Sequence, residues 1–254
     1  MRITDILFIA IGCAALLFTV YCWIPTAYFL HFKRPPRSPN PGDRALMLTF
    51  DDGPDPRYTE RLLGILEKNG VRAVFFVVAE KAAQCPGILS KIAGAGHGIG
   101  LHSLEHRDAW LSGPAYQKKE FERSLAIMEG LGCKAAYYRA PWGHLNLTSL
   151  ALARKHRLKI MLWTVMAQDW EKASTSQRIL ERLFKRVKGG SVICLHDAGG
   201  DRRAAPGAAE HTLQAVAEFV PLMLKKGFRF VLPEGCGAMG KEMSRYGAAE
   251  KTSR

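Results

Sequence analysis

Cysteine is scarce in this sequence: six in 254 residues are too few for a scaffold built on disulfides. Glycine and proline, at 24 and 13, fall short of a low-complexity chain, and no internal repeat recurs at a fixed period. Acidic residues are outnumbered, 23 Asp+Glu against 36 Lys+Arg, which leaves a formal net charge of +13. With 48% hydrophobic and 23% charged residues the chain is too apolar to be disordered. Its length suits one large domain or two small ones with a real core. A basic excess suits nucleic acid, an anionic membrane or an anionic polymer, so the placement of the charges has to decide.

One feature is a charge-free run of 19 residues from Ile6 to Ile24. At about 1.5 Å per residue such a helix spans a hydrocarbon core of roughly 30 Å. A cleavable signal peptide would have a shorter apolar core ending in small residues. Here the run ends in Tyr21, Trp23 and Ile24, with Tyr28 behind, as at an aromatic membrane interface. The expectation is therefore an N-terminal membrane anchor over 1–32. A Pro-rich, charged tether over 33–44 would follow, holding a folded domain off the membrane. The domain itself is expected over 45–235, with a basic tail over 236–254.

Beyond Ala45, β-rich segments alternate with helical ones. Strands are expected at Ala45–Phe50, Arg72–Val78, His97–Leu101, Ala135–Arg139, Lys159–Thr164, Ser191–Leu195 and Phe228–Leu232. Helices are expected at Tyr58–Lys68, Ala115–Glu129, Leu147–Lys155, Thr175–Val187 and His211–Lys225. This alternation predicts an α/β fold with about seven parallel strands, either open or closed into a barrel.

The polar clusters share one placement. Asp51 and Asp52 follow the first strand, His102 and His106 the third, and Arg139 ends the fourth. Asp169-Trp170 follow the fifth, and His196-Asp197 end the sixth. Each has an ordinary structural explanation, as turn, cap or core residue. Together, at the C-terminal ends of parallel strands, they converge where α/β proteins build their sites. Two imidazoles and a carboxylate (Asp52, His102, His106) form a three-ligand set that leaves a metal open to water and substrate. In that pattern the histidine pair shares a helical face. Asp51 points away from Asp52 if the chain is extended, and is free to act as a base. His196 offers a proton, with Asp169 to orient it and raise its pKa. A metal, a base and an acid suit hydrolysis of an amide or ester.

These motifs resemble the NodB-homology polysaccharide deacetylases, carbohydrate esterase family 4. The matching residues are TFDDGP at 49–54, HSLEH at 102–106, RAPWG at 139–143, Asp169-Trp170, and LHD at 195–197. The resemblance covers about residues 45–233 and implies a distorted, incomplete (β/α) barrel. By motif position it implies that Asp51 is the general base and His196 the general acid. Arg139 would brace Asp51 and Asp169 would tune His196, while Asp52, His102 and His106 would hold a divalent metal. That metal is expected to be zinc, with cobalt, nickel or manganese as alternatives. Substrate contacts are expected from Pro141, Trp142 and Gly143, with the Trp142 N–H receiving the oxyanion and Trp170 and Leu195 walling the acetyl pocket. Two positions depart from the pattern: Trp142 stands where the family commonly has Tyr, and Cys194 where it usually has Leu.

The activity implied is metal-dependent N-deacetylation of an N-acetylhexosamine in a peptidoglycan or chitin-like glycan. O-acetyl esterases and sugar deformylases use similar apparatus, and a glycan-binding protein without catalysis is an alternative of another class. A glycan substrate and the membrane are the expected partners, with no nucleic acid and no obligate protein. Residues 45–240 carry +8 of the charge, much of it on helix faces such as Arg178, Arg182 and Lys185, opposite Ile179, Leu183 and Val187. Lys33, Arg34 and Arg37 after the anchor favour a cytoplasmic domain by the positive-inside rule, whereas access to a wall glycan requires an extracytoplasmic one. Access is the harder requirement, so an extracytoplasmic domain is expected.

Overall fold

The computed structural model describes residues 2–33, 43–199 and 205–234. Most of the expected tether and all of the basic tail lie outside the described residues.

Among the described residues, eight strands form one parallel sheet: β1 (Ala45–Asp51), β2 (Val74–Val77), β3 (Gly98–Leu101), β4 (Tyr137–Tyr138), β5 (Lys159–Ile160), β6 (Val165–Met166), β7 (Val192–His196) and β8 (Arg229–Phe230). Their order is β5-β4-β3-β2-β1-β7-β6, with β8 pairing the start of β1. The helices are α1 (Ile3–Phe32), α2 (Thr59–Lys68), α3 (Ala79–Gln84), α4 (Pro86–Gly94), α5 (Pro114–Gly130), α6 (Leu147–Lys155), α7 (Ser176–Arg186) and α8 (Ala208–Lys225). This is the expected incomplete barrel, with the five predicted helices of the domain present and α3 and α4 added between β2 and β3.

Alternation along the strands divides the core into two layers. Leu46, Leu48 and Phe50 of β1 face outward with Phe75, Val77, Ile193 and Leu195, and the helices pack on them. Met47, Val74, Phe76, Tyr137, Met161 and Val192 point inward and fill the curl. The same inward parity carries Thr49 and Asp51 on β1, Arg139 beyond β4, and Cys194 and His196 on β7. β1 is buried at all seven positions and lies between β2 and β7, which suits its unbroken apolar run.

The single strand expected over Lys159–Thr164 is broken. β5 pairs with β4 at one end of the sheet and β6 with β7 at the other, so the chain between them spans the gap in the barrel wall. In that gap the Arg139 side chain donates to the backbone carbonyls of Met161 (2.9 Å) and Leu162 (3.4 Å). Carbonyls that would serve a continuous ladder are thus taken by a buried guanidinium.

Inside the curl, the Arg139 guanidinium lies 3.9 Å from the centroid of the Phe76 ring. Phe76 fits there because residue 100 is glycine: a Cβ on Gly100 would stand 2.5 Å from two of its ring carbons. Gly100→Ala is therefore expected to destabilise the fold by about 1–3 kcal/mol. Denaturant unfolding of the purified variant checks this, and unchanged stability would show that the ring moves freely.

The N-terminal helix departs from the expectation of a domain held at a distance. Its first half exposes its apolar side chains, and no residue of Ile3–Phe18 is buried. Its second half packs on the domain. Thr26, 6% exposed, donates to the Leu145 carbonyl and accepts from the Leu145 N–H, both at 2.8 Å. Tyr21 bonds Thr148 at 2.5 Å, and Phe18 meets Trp110 edge-on at 5.3 Å. Tyr21, expected at a membrane interface, is thereby engaged by the domain, while Trp23 and Tyr28 stay exposed.

Candidate active site

At the C-terminal edge of the sheet a cleft of 810 Å³ is lined by Asp51, Asp52, His102, Glu105, His106, Arg107, Asp108, Leu111, Trp142, Trp163, Met166, Trp170 and His196. The loops that build it are held in left-handed backbone. Among the described residues six non-glycine positions have positive φ, and Asp52, Ser103, His106 and Trp142 are four of them. Such conformations are costly for residues with a Cβ and persist where the surroundings impose them.

This backbone places both aspartates in one cleft. Asp51 ends β1 on its inward face, and the left-handed turn at Asp52 (φ 76°) brings the next carboxylate round to the same side. Strict alternation would have separated them. His102 and His106 converge from a loop rather than a helical face, because Ser103 and His106 both have positive φ. The Ser103 hydroxyl accepts from the His106 N–H at 2.9 Å. The Ala79 and Glu80 N–H groups at the start of α3 hold the loop through the carbonyls of Ser103 and Leu104.

Asp52, His102 and His106 each bring one ligand atom within 4.8 Å of the others. Oδ1 of Asp52 lies 3.2 Å from Nε2 of His102 and 3.0 Å from Nε2 of His106. His102 Nδ1 lies 2.8 Å from the Arg139 carbonyl, an acceptor, so Nδ1 carries the proton and Nε2 presents a lone pair. The buried Asp52 Oδ1 has no hydrogen-bond donor. Converging acceptors repel unless a cation lies between them, and ligands of a tetrahedral ion with ~2.1 Å bonds stand about 3.4 Å apart. These residues therefore fit a divalent ion.

Asp51, Cys194 and His196 also bring ligand atoms within 4.8 Å of one another. That trio suits a metal poorly. Arg139 already supplies the cation, with Nη1 2.6 Å from Asp51 Oδ1 and 2.8 Å from the Thr49 hydroxyl. Burial, reinforced by the Asp51 charge, raises the Cys194 thiol well above its ordinary value. It is therefore a donor, and its sulfur lies 3.3 Å from Asp51 Oδ2. Cys194 is thus a partner of Asp51 rather than mere packing.

His196 is held from behind. Its Nδ1 lies 2.8 Å from Asp169 Oδ1, and its N–H donates to Asp169 Oδ2 at 2.8 Å. The Thr212 hydroxyl of α8 donates to the same oxygen at 2.8 Å. Burial lowers the imidazole pKa, but the Asp169 carboxylate, aided by Asp52 and Asp51, pushes it up to about 10. His196 is therefore protonated at neutral pH and able to donate. Trp170 packs edge-on against it, with ring centroids 5.1 Å apart.

Trp142 lines the cleft within the tight turn Pro141–Gly143, its ring 4.4 Å from that of His106. Pro141 and Gly143 are buried and shape this turn without lining the cleft, and a Cβ on Gly143 would meet Trp163 at 2.8 Å. Leu195 is not brought to the cleft. By strand alternation it points into the outer core. The apolar walls come from Trp142, Trp163, Met166, Trp170 and Leu111, of which Trp163, Met166 and Leu111 carried no sequence signal. Arg182, expected on a solvated face, donates to the carbonyls of Ala167 and Gln168, both at 3.0 Å, and so braces the loop that presents Asp169.

The Polysaccharide deacetylase family matches residues 38–161. A peptidoglycan-N-acetylglucosamine deacetylase of Bacillus cereus is 28% identical over 74% of this chain and 86% of its own length. A chitooligosaccharide deacetylase of Bradyrhizobium is 30% identical over 74% of this chain and 88% of its own. Among solved structures, a peptidoglycan N-acetylglucosamine deacetylase superposes with a TM-score of 0.69 at 26% identity, covering 82% of this chain and 92% of that one. A family 4 carbohydrate esterase from Streptomyces lividans, in complex with acetate, gives 0.66 at 28% identity, over 78% of this chain and 98% of that one.

The convergence of Asp52, His102 and His106 predicts one divalent cation per chain. His102→Ala and Asp52→Ala are expected to lose it, which elemental analysis of the folded proteins measures. Full retention in both variants would exclude these ligands.

Proposed function

The chain belongs to the polysaccharide deacetylase family, carbohydrate esterase family 4, and on that footing we propose that it removes acetyl groups from N-acetylhexosamine units of a glycan, releasing acetate. The observation that carries this reading is one cleft in which three metal-ligating side chains, a braced carboxylate and a protonated histidine face each other. The relatives named for peptidoglycan and for chitooligosaccharide suggest a substrate of that kind.

We assign Asp52, His102 and His106 to hold the cation, with zinc the ion implied by the resemblance and cobalt, nickel or manganese as alternatives. A bound divalent cation supplies Lewis-acid polarisation of the acetyl carbonyl and acidifies water. Asp51, fixed by Arg139 and Cys194, takes the proton of the attacking water. The Trp142 N–H donates to the oxygen of the acetyl group as negative charge develops there. His196 gives its proton to the departing nitrogen as the C–N bond breaks, and Asp169 stabilises the imidazolium until that transfer. Trp142 and Trp170 enclose the acetyl group and sugar, joined by Trp163 and Met166.

The arrangement of the chain is part of the proposal: an anchor over 1–32, a tether over 33–44, a catalytic domain over 45–235 and a tail over 236–254. Among the described residues, one apolar helix is long enough to cross a membrane, Ile3–Phe32, and the exposure of its first half supports the anchor. We assign the catalytic domain to the outside of the cytoplasm, where wall glycans are.

Asp51→Asn is expected to lower acetate release from N-acetylated chitooligosaccharides by at least about 10²-fold while the cation stays bound. Release at the parent rate would overturn the assignment of the base. Asp169→Asn removes the carboxylate that raises His196. The imidazole pKa then falls, and the alkaline limb of the kcat/KM profile moves to lower pH; an unmoved limb would exclude His196 as the acid.

A further inference from the structure

The geometry of α1 bears on the substrate, and this inference rests on the reading of α1 as a membrane anchor and of the cleft as a deacetylase site. The helix docks at the rim of the cleft. Its contacts Trp110 and Leu145 lie in the connections after β3 and β4, and Thr148 at the start of α6, at the edge of the sheet where the site opens. Asp108 and Leu111, which flank Trp110, line the cleft. Further along the helix, Phe29 also packs against the core of the domain. The chain then returns at Asp43 and Arg44 to the opposite edge, where Arg44 bonds the Lys226 carbonyl beside the start of β1. The first half of α1, which buries no residue, thus leaves the domain from a contact at the rim of the cleft.

Length then decides how close the bilayer comes. Ile3–Leu17, at 1.5 Å per residue, reaches about 22 Å, whereas a hydrocarbon core is about 30 Å thick. The shortfall has to be made up by Phe18–Trp23, and those residues bring the loops they dock on with them. Two large apolar side chains are exposed beside that contact: Leu111, 85% exposed at the mouth of the cleft, and Leu147, 47% exposed next to Thr148. On α1 itself Trp23 and Ile24 are exposed as well. Exposed leucines with an adjacent tryptophan suit the boundary between acyl chains and headgroups.

We propose that the mouth of the cleft sits in the headgroup layer and that the substrate is an N-acetylhexosamine carried on a membrane lipid. A sugar linked to a lipid presents its acetyl group at that depth, whereas a soluble glycan has to enter between the rim and the bilayer. Confinement of enzyme and substrate to one surface also raises their effective concentration.

The test uses the full chain in phospholipid vesicles, with an octadecyl N-acetylglucosaminide in the bilayer and soluble tri-N-acetylchitotriose as probes. The vesicle-borne sugar is expected to lose acetate faster by about tenfold or more at equal bulk concentration. Leu147→Asp, at the first position of α6 and outside the cleft lining, is expected to abolish that advantage and leave the trimer rate unchanged. In parallel, Leu111→p-benzoylphenylalanine is expected to cross-link to lipid on irradiation, and Lys188→p-benzoylphenylalanine, at the far edge of the sheet, is not. Equal rates on the two sugars, or no excess of lipid labelling at 111 over 188, would overturn the proposal. Lipid labelling at 111 with acetate released from neither sugar would instead overturn the deacetylase reading, and this substrate with it.

Discussion

The buried contact between Arg139 and Asp51 is the constraint from which the site and much of the barrel follow. A guanidinium with no exposed surface costs several kcal/mol to desolvate unless its donors and its charge are met. Here they are met on all sides: Asp51 supplies the charge, Thr49 a hydroxyl, Met161 and Leu162 two carbonyls, and Phe76 a ring face. One side chain thus fills the gap in the barrel wall and fixes the carboxylate assigned as the base. Closure of the fold and geometry of the site are consequently not separable properties of this chain.

Around that pair the site is built in layers that end at the N-terminal helix. His102 donates to the Arg139 carbonyl, so one of the histidines assigned to the cation is oriented by the backbone of the residue that fixes Asp51. His106 packs on Trp142, and His144 pairs with Asp108 and stacks on Trp110 at 4.0 Å. Trp110 in turn donates towards Thr26 of α1. The N-terminal helix is thereby continuous with the cleft rim, which makes it a structural part of the domain as well as the proposed tether to a bilayer.

Most of the site was legible in the sequence because its residues fall at strand ends, where parallel topology makes them converge whatever the detailed geometry. Asp51, Arg139 and His196 also share one strand parity, and the structure places all three on the inward face. What escaped notice depends on non-local contacts. The break in Lys159–Thr164 arises because a distant arginine takes its carbonyls, which no local β propensity reveals. The placement of Asp51 and Asp52 in one cleft, and the convergence of His102 and His106 from a loop rather than a helical face, follow from left-handed backbone that the periodicities of helix and strand do not contain. Leu195 was expected in the acetyl pocket by motif position, although its parity, opposite to that of His196, would have sent it outward. Thr26 carries no local signal, and Tyr21 reads as a membrane-interface aromatic, because their partners lie more than 100 residues away.

The dependence of the site on Arg139 can be measured directly by following acetate release and cation content together in Arg139→Lys. Lysine keeps the positive charge but cannot reach Asp51, Thr49 and the two carbonyls at once. The account predicts a folded protein that still binds its cation through Asp52, His102 and His106, yet releases acetate roughly 10²-fold more slowly because the base is misplaced. Release at the parent rate from Arg139→Lys would show that charge alone suffices and would contradict the account.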